Sequence, residues 1–540
     1  MLILSKSNIK DKDEWKRAGI DLPGFDIEQV TQRTAQHPTW LHFGAGNILK
    51  GYISVLQQTL LNQNNADTGI IAVETYDLEI IDRIYTPYDN LNLLVLMKPD
   101  GSLEKKVIGS ITESLAGDAS REKDWERLED IFANPSLQMV SFTITEKGYS
   151  LKGMSGEFLP DVAEDMKNGP EKPVHIMSKI ASLAYIRYLN GELPVAFVSM
   201  DNCSHNGELL QNSVCTIAQK WAEKGFVEPE FVKYLNNPDK VSFPWSMIDK
   251  ITPRPSEKVQ KSLEQTGFGT TDVICTQKKT FIAPFVNTEV SQYLVVEDRF
   301  PNGRMPLELA GVIFTDRETV NRVEKMKVCT CLNPLHTALA IFGCLLNYRL
   351  IADEMKDELL KALVEKIGYE EGMPVVVHPG IIDPKDFIRE VIEVRFPNPY
   401  IPDTPQRIAT DTSQKIPVRF GETIKSYVSN PLMDVKQLKY IPLVIAGWCR
   451  YLMGIDDNGN VMELSSDPMM DELKGYLQGI EFGNSASAKG RLAPILSNER
   501  LFGQDLYKIG LGQKVEKYFE EMIAGKQAVR NVLSEALAVG

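Results

Sequence analysis

Residues 40–51, Trp40-Leu-His-Phe-Gly44-Ala-Gly46-Asn47-Ile-Leu-Lys50-Gly51, restrict the fold more than any other stretch of this chain. An apolar run of four ends in a Gly-x-Gly turn. Residues 48–61, which follow, are apolar at helical spacing. That is the order of a first strand, a tight turn and a helix whose N-terminus faces a pyrophosphate. Position 49, where the generic fingerprint has its third glycine, is Leu, and Gly51 comes two later. A second apolar run, residues 69–73, ends in Glu74. An acidic residue there accepts hydrogen bonds from ribose hydroxyls and repels a 2′-phosphate. Gly44, Ala45, Gly46, Asn47 and Glu74 are therefore the expected cofactor-binding residues, for NAD. The gap from Gly46 to Glu74 exceeds the usual ~20 residues, which keeps Asp77 as an alternative acid.

Strand-like runs recur at residues 70–73, 93–97, 139–144 and 195–200, with helical stretches such as 178–189 between them. Strands alternating with helices predict a doubly wound α/β sheet of Rossmann type. Residues 90–102 read as a strand entering a hairpin at Asp100-Gly101. After about residue 300 the pattern turns mainly helical, at 320–346, 352–367, 382–395, 441–453 and 515–532. Proline-rich stretches at 300–306 and 396–405 are the expected joints. The expected division is a dinucleotide-binding domain over 1–300 and a mainly α-helical substrate domain over 301–540.

The segment Lys327-Val-Cys-Thr-Cys-Leu-Asn333-Pro-Leu-His336 places an amine, an amide and an imidazole at the head of an apolar run that continues through residue 346. Asn333 and His336 are three apart, so a helix puts them on one face. Polar groups facing an apolar packing surface need partners or a task. Lysine buried in such a place can serve as a general base. The bland alternative is a capped helix with a hydrogen-bonded core histidine.

The net charge of −14 argues against nucleic acid or acidic membrane surfaces as partners. The seven cysteines are scattered without zinc-ligand spacing and read as small buried hydrophobes. The N-terminus turns charged within six residues, so the expected location is cytoplasmic, and no apolar run approaches bilayer-spanning length.

Taken together, the two motif segments resemble the polyol-specific long-chain dehydrogenase/reductase family. Further blocks match in order. They are Thr143-Ile-Thr-Glu-Lys-Gly-Tyr149, Met200-Asp-Asn202-Cys-Ser-His205-Asn206-Gly207, and Phe243-Pro-Trp-Ser-Met-Ile-Asp249-Lys250-Ile-Thr-Pro253. Val296-Glu-Asp-Arg-Phe300 with Gly303-Arg304 comes next, and then Arg407 to Pro417. The resemblance spans residues 41–419 and implies metal-independent hydride transfer between NAD and a secondary alcohol of a sugar alcohol or sugar acid.

By that resemblance Lys327 is the base, and Asn202 and Asn333 donate to the substrate oxygen. His336 orients the substrate, while Asp249, Arg407 and Lys415 line it. No role matches His205 or His378. Arg254, Arg407 and Lys415 could hold a hexuronate carboxylate, which favours fructuronate reduction over mannitol oxidation. Tagaturonate reduction, or an NAD-binding protein without chemistry, are the alternatives.

The family motif has Lys five residues before Asn, whereas Lys327 lies six before Asn333. On a regular helix the extra residue turns the amine by about 100°. Either a π-bulge absorbs it, aided by Pro334 pressing on the carbonyl of Thr330, or Lys327 is a solvated neighbour and another base works.

Overall fold

The computed structural model describes residues 2–153 and 155–538. They form two compact units, Met1–Asn321 and Arg322–Gly540.

The first unit is built on a six-stranded parallel sheet. Its strands are β1 (Trp40–Phe43), β2 (Ile70–Glu74), β3 (Ile111–Ala116), β4 (Met139–Phe142), β5 (Val195–Ser199) and β6 (Val241–Ser242). They lie in the order β3-β2-β1-β4-β5-β6, with Trp40 opposite Ile70 on one side and Met139 on the other. The order reverses between β1 and β4, the position where doubly wound sheets bind ligands.

Both faces of the sheet are covered, and side chains alternate along each strand as the pleat demands. Trp40, Ile70, Ala72, Met139, Ala196 and Val198 share one core with Leu49, Ile53, Leu56 and Leu60 of the first helix. Leu41, Phe43, Ile71, Val73, Val140, Phe142 and Phe197 share the other with Trp125, Leu128, Ile180, Leu183, Leu210 and Val214. Those residues come from α2 (Glu122–Ala133), α3 (Ile176–Leu189) and α4 (Asn206–Glu223); α1 is Ser54–Asn62. Phe43, Phe142, Phe197 and Phe243 form a row of stacked and tilted rings across the sheet, with centroids 5.5, 6.3 and 5.6 Å apart.

The hairpin expected at Asp100-Gly101 is present. Asn92–Met97 pairs antiparallel with Leu103–Ile108, and Gly101 takes φ +88° at the turn. Its strand does not enter the doubly wound sheet. It belongs to a separate four-stranded sheet with Ile20–Asp21 and Phe285–Glu289. The third strand of the main sheet is instead Ile111–Ala116.

The joint expected at residue 300 lies inside the first unit, because Ile313–Thr315 pairs with Tyr293–Glu297. The division falls within helix α5 (Arg317–Met326). Among the described residues one helical run, Arg317–Leu345, is long and apolar enough to cross a membrane, longer than the sequence suggested. Of its most apolar window 72% is buried in the protein.

The second unit packs around α6 (Asn333–Leu345), buried on nearly all sides. Helices α7 (Pro405–Ile408) and α8 (Tyr440–Tyr451) lie against it. Gly447 of α8 permits this contact, because a Cβ there would sit 2.7 Å from the ring of Phe342. The stretches expected at 352–367 and 515–532 are each broken in two. The second breaks between Gly512–Met522 and Ala528–Ala538, where Gly525 has φ +153°.

One buried cation ties the layers of the first unit together. Arg187 of α3 donates to the carbonyls of Phe132, Asn134, Leu137 and Pro194, at 2.6–2.9 Å. Burial lowers its pKa to about 10. Arg187→Met should leave these carbonyls without donors and cost about 3 kcal/mol or more. Chemical denaturation of the two proteins, compared by circular dichroism, measures that difference.

Candidate active site

The glycine turn is held from two directions. Gly44 has φ +105°, and a Cβ there would lie 2.2 Å from the carbonyl oxygen of Thr143. Only glycine fits so close an approach. His42 is fully buried on β1, with Nδ1 2.6 Å from Ser141 Oγ and Nε2 2.8 Å from Thr143 Oγ1. Burial lowers its pKa to about 3, so it is a neutral hydrogen-bonding bracket. Thr143 Oγ1 also lies 3.3 Å from the Gly44 carbonyl oxygen.

From the other side comes Glu74. Its Oε2 accepts from Ala45 N at 3.0 Å, and its Oε1 from Thr75, Tyr76 and Asp77 N at 2.8–3.2 Å. Burial raises its pKa against those four donors. The Glu74 carboxylate thus acts as a latch between the turn and the end of β2, with Oε1 crowded by three amides and Oε2 taking one. The alternative, Asp77, is also engaged, since its Oδ2 accepts from Thr276 Oγ1 at 2.6 Å.

The turn nevertheless suits a dinucleotide. A Cβ on Gly46 would meet nothing within 4 Å, so the backbone there is open to an incoming group. A helix begins at Asn47, π-helical over Leu49–Ile53 before α1, and its first amides are the usual anion-facing donors. Asn47 Oδ1 is buried without a partner, while its Nδ2 donates to the Pro253 carbonyl at 3.4 Å. Gly51 does the packing work of the missing third glycine, since a Cβ there would press on Thr252 and Val286 at 3.1–3.2 Å.

Loops after β4 and β5 complete this edge. Asp201 Oδ2 accepts from Ile144 N at 2.8 Å and Tyr149 Oη at 2.7 Å, and Oδ1 accepts from Thr145 N at 3.0 Å. Thr145 sits at φ 66°, ψ 159°. Essentially only glycine visits that region, and the cost to another residue is about 1–3 kcal/mol. Asn202 is exposed on the same loop as Asp201.

Asn206, which the sequence supplied only as part of a motif, is a fully buried staple. Its Nδ2 donates to the carbonyls of Ser199, Asp201 and Ser246, and its Oδ1 accepts from Ser246 N. It thereby ties the β5 loop to strand Ser246–Asp249, whose last residue is the buried Asp249. Asp249 adds its charge to the burial that raises the Tyr52 pKa. His205 stacks on Trp245 with ring centroids 4.3 Å apart. Arg254 lies over the ring of Phe281 at 4.6 Å.

In the second unit, Lys327 is 2% exposed and opens a π-helical turn, Lys327–Cys331. Leu332 N donates to the Lys327 carbonyl at 3.1 Å, an i to i−5 bond. A π turn takes up one residue more than an α turn, so Lys327 opens the kind of bulge that an extra residue calls for.

Proline acts differently from the expectation. Leu332 leaves the helical region at φ −129°, ψ −60°, and α6 starts anew at Asn333. Pro334 therefore sits in a first turn, where its missing N–H has no intrahelical acceptor to lose. No clash with the Thr330 carbonyl is needed.

His336 Nε2 lies 3.0 Å from Asp403 Oδ2, at an angle poor for a hydrogen bond. Burial lowers the His336 pKa more than Asp403 raises it. The Asp403 carboxyl is pushed up by its own burial but held below its usual range by His336 and Arg407. Arg407, itself exposed, donates Nε and Nη2 to Asp403 Oδ1 at 2.8 and 2.5 Å.

Arg419 donates to Thr337 Oγ1 at 2.5 Å, one residue beyond His336. Lys415 donates to the carbonyls of Ile408 and Thr410. Burial first, and the Arg419 charge second, bring its pKa down to about 8. The second unit thus gathers His336, Arg407 and Arg419 around α6 with Lys415 beside them, while Lys327 and Asn333 flank the break at Leu332. Arg419 was absent from the sequence-derived set, because a lone arginine beyond the last motif residue carries no pattern.

All seven cysteines are free, and burial raises the thiols of Cys329, Cys331, Cys344 and Cys449 to about 12. Among the described residues no group of three His, Cys, Asp or Glu is placed to hold a metal.

Comparison with known proteins agrees with both halves. Residues 38–309 match the mannitol dehydrogenase Rossmann domain, and residues 319–523 match the mannitol dehydrogenase C-terminal domain. A D-mannonate oxidoreductase of Thermotoga maritima is 55% identical over 99% of each chain. A mannitol 2-dehydrogenase of Pyrenophora tritici-repentis is 29% identical over 86% of this chain and 76% of its own. The ternary complex of Pseudomonas fluorescens mannitol 2-dehydrogenase with NAD and D-mannitol superposes with a TM-score of 0.70. It is 25% identical and covers 99% of both chains. A substrate-free D-sorbitol dehydrogenase shares the fold, with a TM-score of 0.77 at 24% identity over 96% of this chain and 98% of its own.

Gly44→Ala forces a methyl group into the Thr143 carbonyl at a φ that L residues resist. The variant should lose most NADH binding, read as the loss of nicotinamide fluorescence enhancement. Gly46→Ala, with open space at its Cβ, should fold normally and lose binding only through the ligand.

Proposed function

We propose that this chain, which belongs to the mannitol dehydrogenase family, is an NAD-dependent oxidoreductase interconverting D-mannonate and its keto acid, D-fructuronate. One observation carries the choice of substrate: 55% identity, over 99% of both chains, to a D-mannonate oxidoreductase. The cations of the second unit support it, since Arg407, Lys415 and Arg419 suit a substrate that carries a carboxylate.

Bound here, the nicotinamide would supply the hydride acceptor for the alcohol carbon and, reduced, the hydride donor for the ketone. Gly44, Ala45, Gly46 and Asn47 would hold its pyrophosphate, through the open backbone at Gly46 and the helix start at Asn47. Glu74 shapes that turn through Ala45 and keeps a carboxylate at the end of β2.

Lys327 handles the proton. As the free amine it takes the hydroxyl proton when the alcohol is oxidised. As the ammonium it gives that proton to the oxygen when the ketone is reduced. Burial on a π turn removes water that would compete for the proton. Asn333, flanking the helix break, donates its amide N–H to the developing alkoxide. His336 stays neutral. With Nε2 toward Asp403, its Nδ1 is left to accept from a substrate hydroxyl.

The test is NADH oxidation with D-fructuronate set against fructose. We expect kcat/KM to favour the keto acid by about 10²-fold or more, the discrimination of a site whose cations meet no carboxylate on the wrong ligand. Equal efficiencies would move the assignment to a polyol dehydrogenase. In Lys327→Ala, kcat should fall by ~10²–10⁴-fold while NADH binds as before. Near-normal turnover would remove Lys327 from the chemistry.

Lys415 supplies the pH dependence. Below about 8 it is an ammonium and attracts a carboxylate; above about 8 it is neutral. The KM for D-fructuronate should therefore be flat below that pH and climb above it. The KM for fructose should not follow. In Lys415→Met the climb should disappear, leaving a raised KM at every pH.

A further inference from the structure

We propose that Asp201 is a positioning residue of the cofactor site, which clamps Thr145 in a glycine-type backbone and so keeps the loop after β4 in the shape a nicotinamide dinucleotide requires. This inference rests on the cofactor assignment above and assigns it a residue outside the glycine turn.

Three observations converge. The first is strain. Thr145, a β-branched residue, is held where essentially only glycine is at ease, and its side chain is exposed. Its conformation therefore does not come from packing of its own side chain. Glycine would relieve the strain, yet this chain keeps a side chain there.

The second is the clamp. One carboxylate accepts from two successive amides, Ile144 N and Thr145 N, and from the Tyr149 hydroxyl just beyond. The Thr145 amide before the strained torsions and the Tyr149 hydroxyl beyond them are held by the same carboxylate, so Asp201 brackets the glycine-type residue from both sides. Tyr149 is 3% exposed and also shares a hydrogen bond with Ser199 Oγ at 2.7 Å, which anchors the clamp to the end of β5.

The third is location. The loop leaves β4 at the point where strand order reverses, beside the turn after β1. The two are in hard contact, through the Thr143 carbonyl against Gly44 and the Thr143 hydroxyl against His42 and the Gly44 carbonyl. Relaxation at Thr145 would shift Thr143, and Thr143 would shift the glycine turn. Strain that is over-determined by its surroundings and placed at a ligand crevice is what a pre-shaped binding loop looks like.

A double-mutant cycle on the full chain tests this, with NADH alone as probe and nicotinamide fluorescence as readout. Asp201→Asn replaces one acceptor by a donor facing Ile144 N–H. It should weaken NADH binding by roughly 10-fold, within the coupling seen for residues in contact. Substrate KM at saturating NADH should stay the same. Thr145→Gly adopts the turn without a clamp. In that background Asp201→Asn should weaken binding by no more than about 2-fold.

Equal losses in both backgrounds, or no loss in either, would overturn the proposal, because a merely structural Asp201 gains nothing from glycine at 145. Should Asp201→Asn not fold, Tyr149→Phe removes a single donor, and its smaller loss must likewise vanish with Gly at 145. If the unaltered protein binds no NADH, the cofactor assignment falls and this inference with it. If it binds and the cycle is additive, only this inference falls.

Discussion

The carbonyl oxygen of Thr143 occupies the space that any side chain at position 44 would need, and the cofactor edge of the first unit is organised around that contact. Because Gly44 yields, the turn after β1 lies directly on the loop after β4. His42 then reaches Thr143, and Glu74 reaches back from β2 to Ala45. Strand ends that are distant in sequence are locked into one rigid rim by hydrogen bonds with few solvent competitors. Charge at this rim is managed by the backbone. Glu74 and Asp201 are carboxylates satisfied by amide N–H groups, so each stabilises a turn instead of demanding a counter-ion.

The second unit solves a different problem, which is how to bury an amine close to the start of an apolar helix. One residue too many separates Lys327 from Asn333 for an α-helix to align them. The chain meets the misfit with a π turn at Lys327, and Leu332 then releases it so that α6 restarts with a proline in its first turn. A regular helix through both segments would have lost the Pro334 hydrogen bond. The break places Asn333, and one turn on His336, at the start of a helix that is otherwise apolar throughout.

His336 and Asp403 are both largely withdrawn from water, and Arg407 covers them from outside. The imidazole is neutral because it is desolvated, the carboxylate is charged because two partners support it, and the guanidinium meets water. This arrangement orients the ring without loading it with a proton. Lys415, held by two carbonyls rather than by a carboxylate, keeps a charge that a ligand can still claim.

Apolar runs identified β1, β2, β4 and β5 and the helical character of the second half, and turn residues identified the glycine turn after β1 and the strand entering a hairpin at Asp100-Gly101. These are local properties: a strand or helix buried on a known face writes its period into its own residues. The order Lys327, Asn333, His336 was equally plain, and so was the misfit of one residue. What the linear pattern did not hold was partnership. Ile111–Ala116 carries Glu113 and Ser114 and reads poorly as a core strand, yet it takes the third place in the sheet. The run at 92–97 reads well and pairs elsewhere. That Glu74 also latches the glycine turn through Ala45 could not be read from its place at the end of a strand. Asp201 and Thr145, 56 residues apart in the chain, became a clamp only once β4 and β5 lay side by side. Residue type and spacing determined which chemistry this protein carries. Tertiary closure decided which polar groups were spent on the scaffold and which remained for a ligand, because a hydrogen bond between distant loops has no signature in either loop alone.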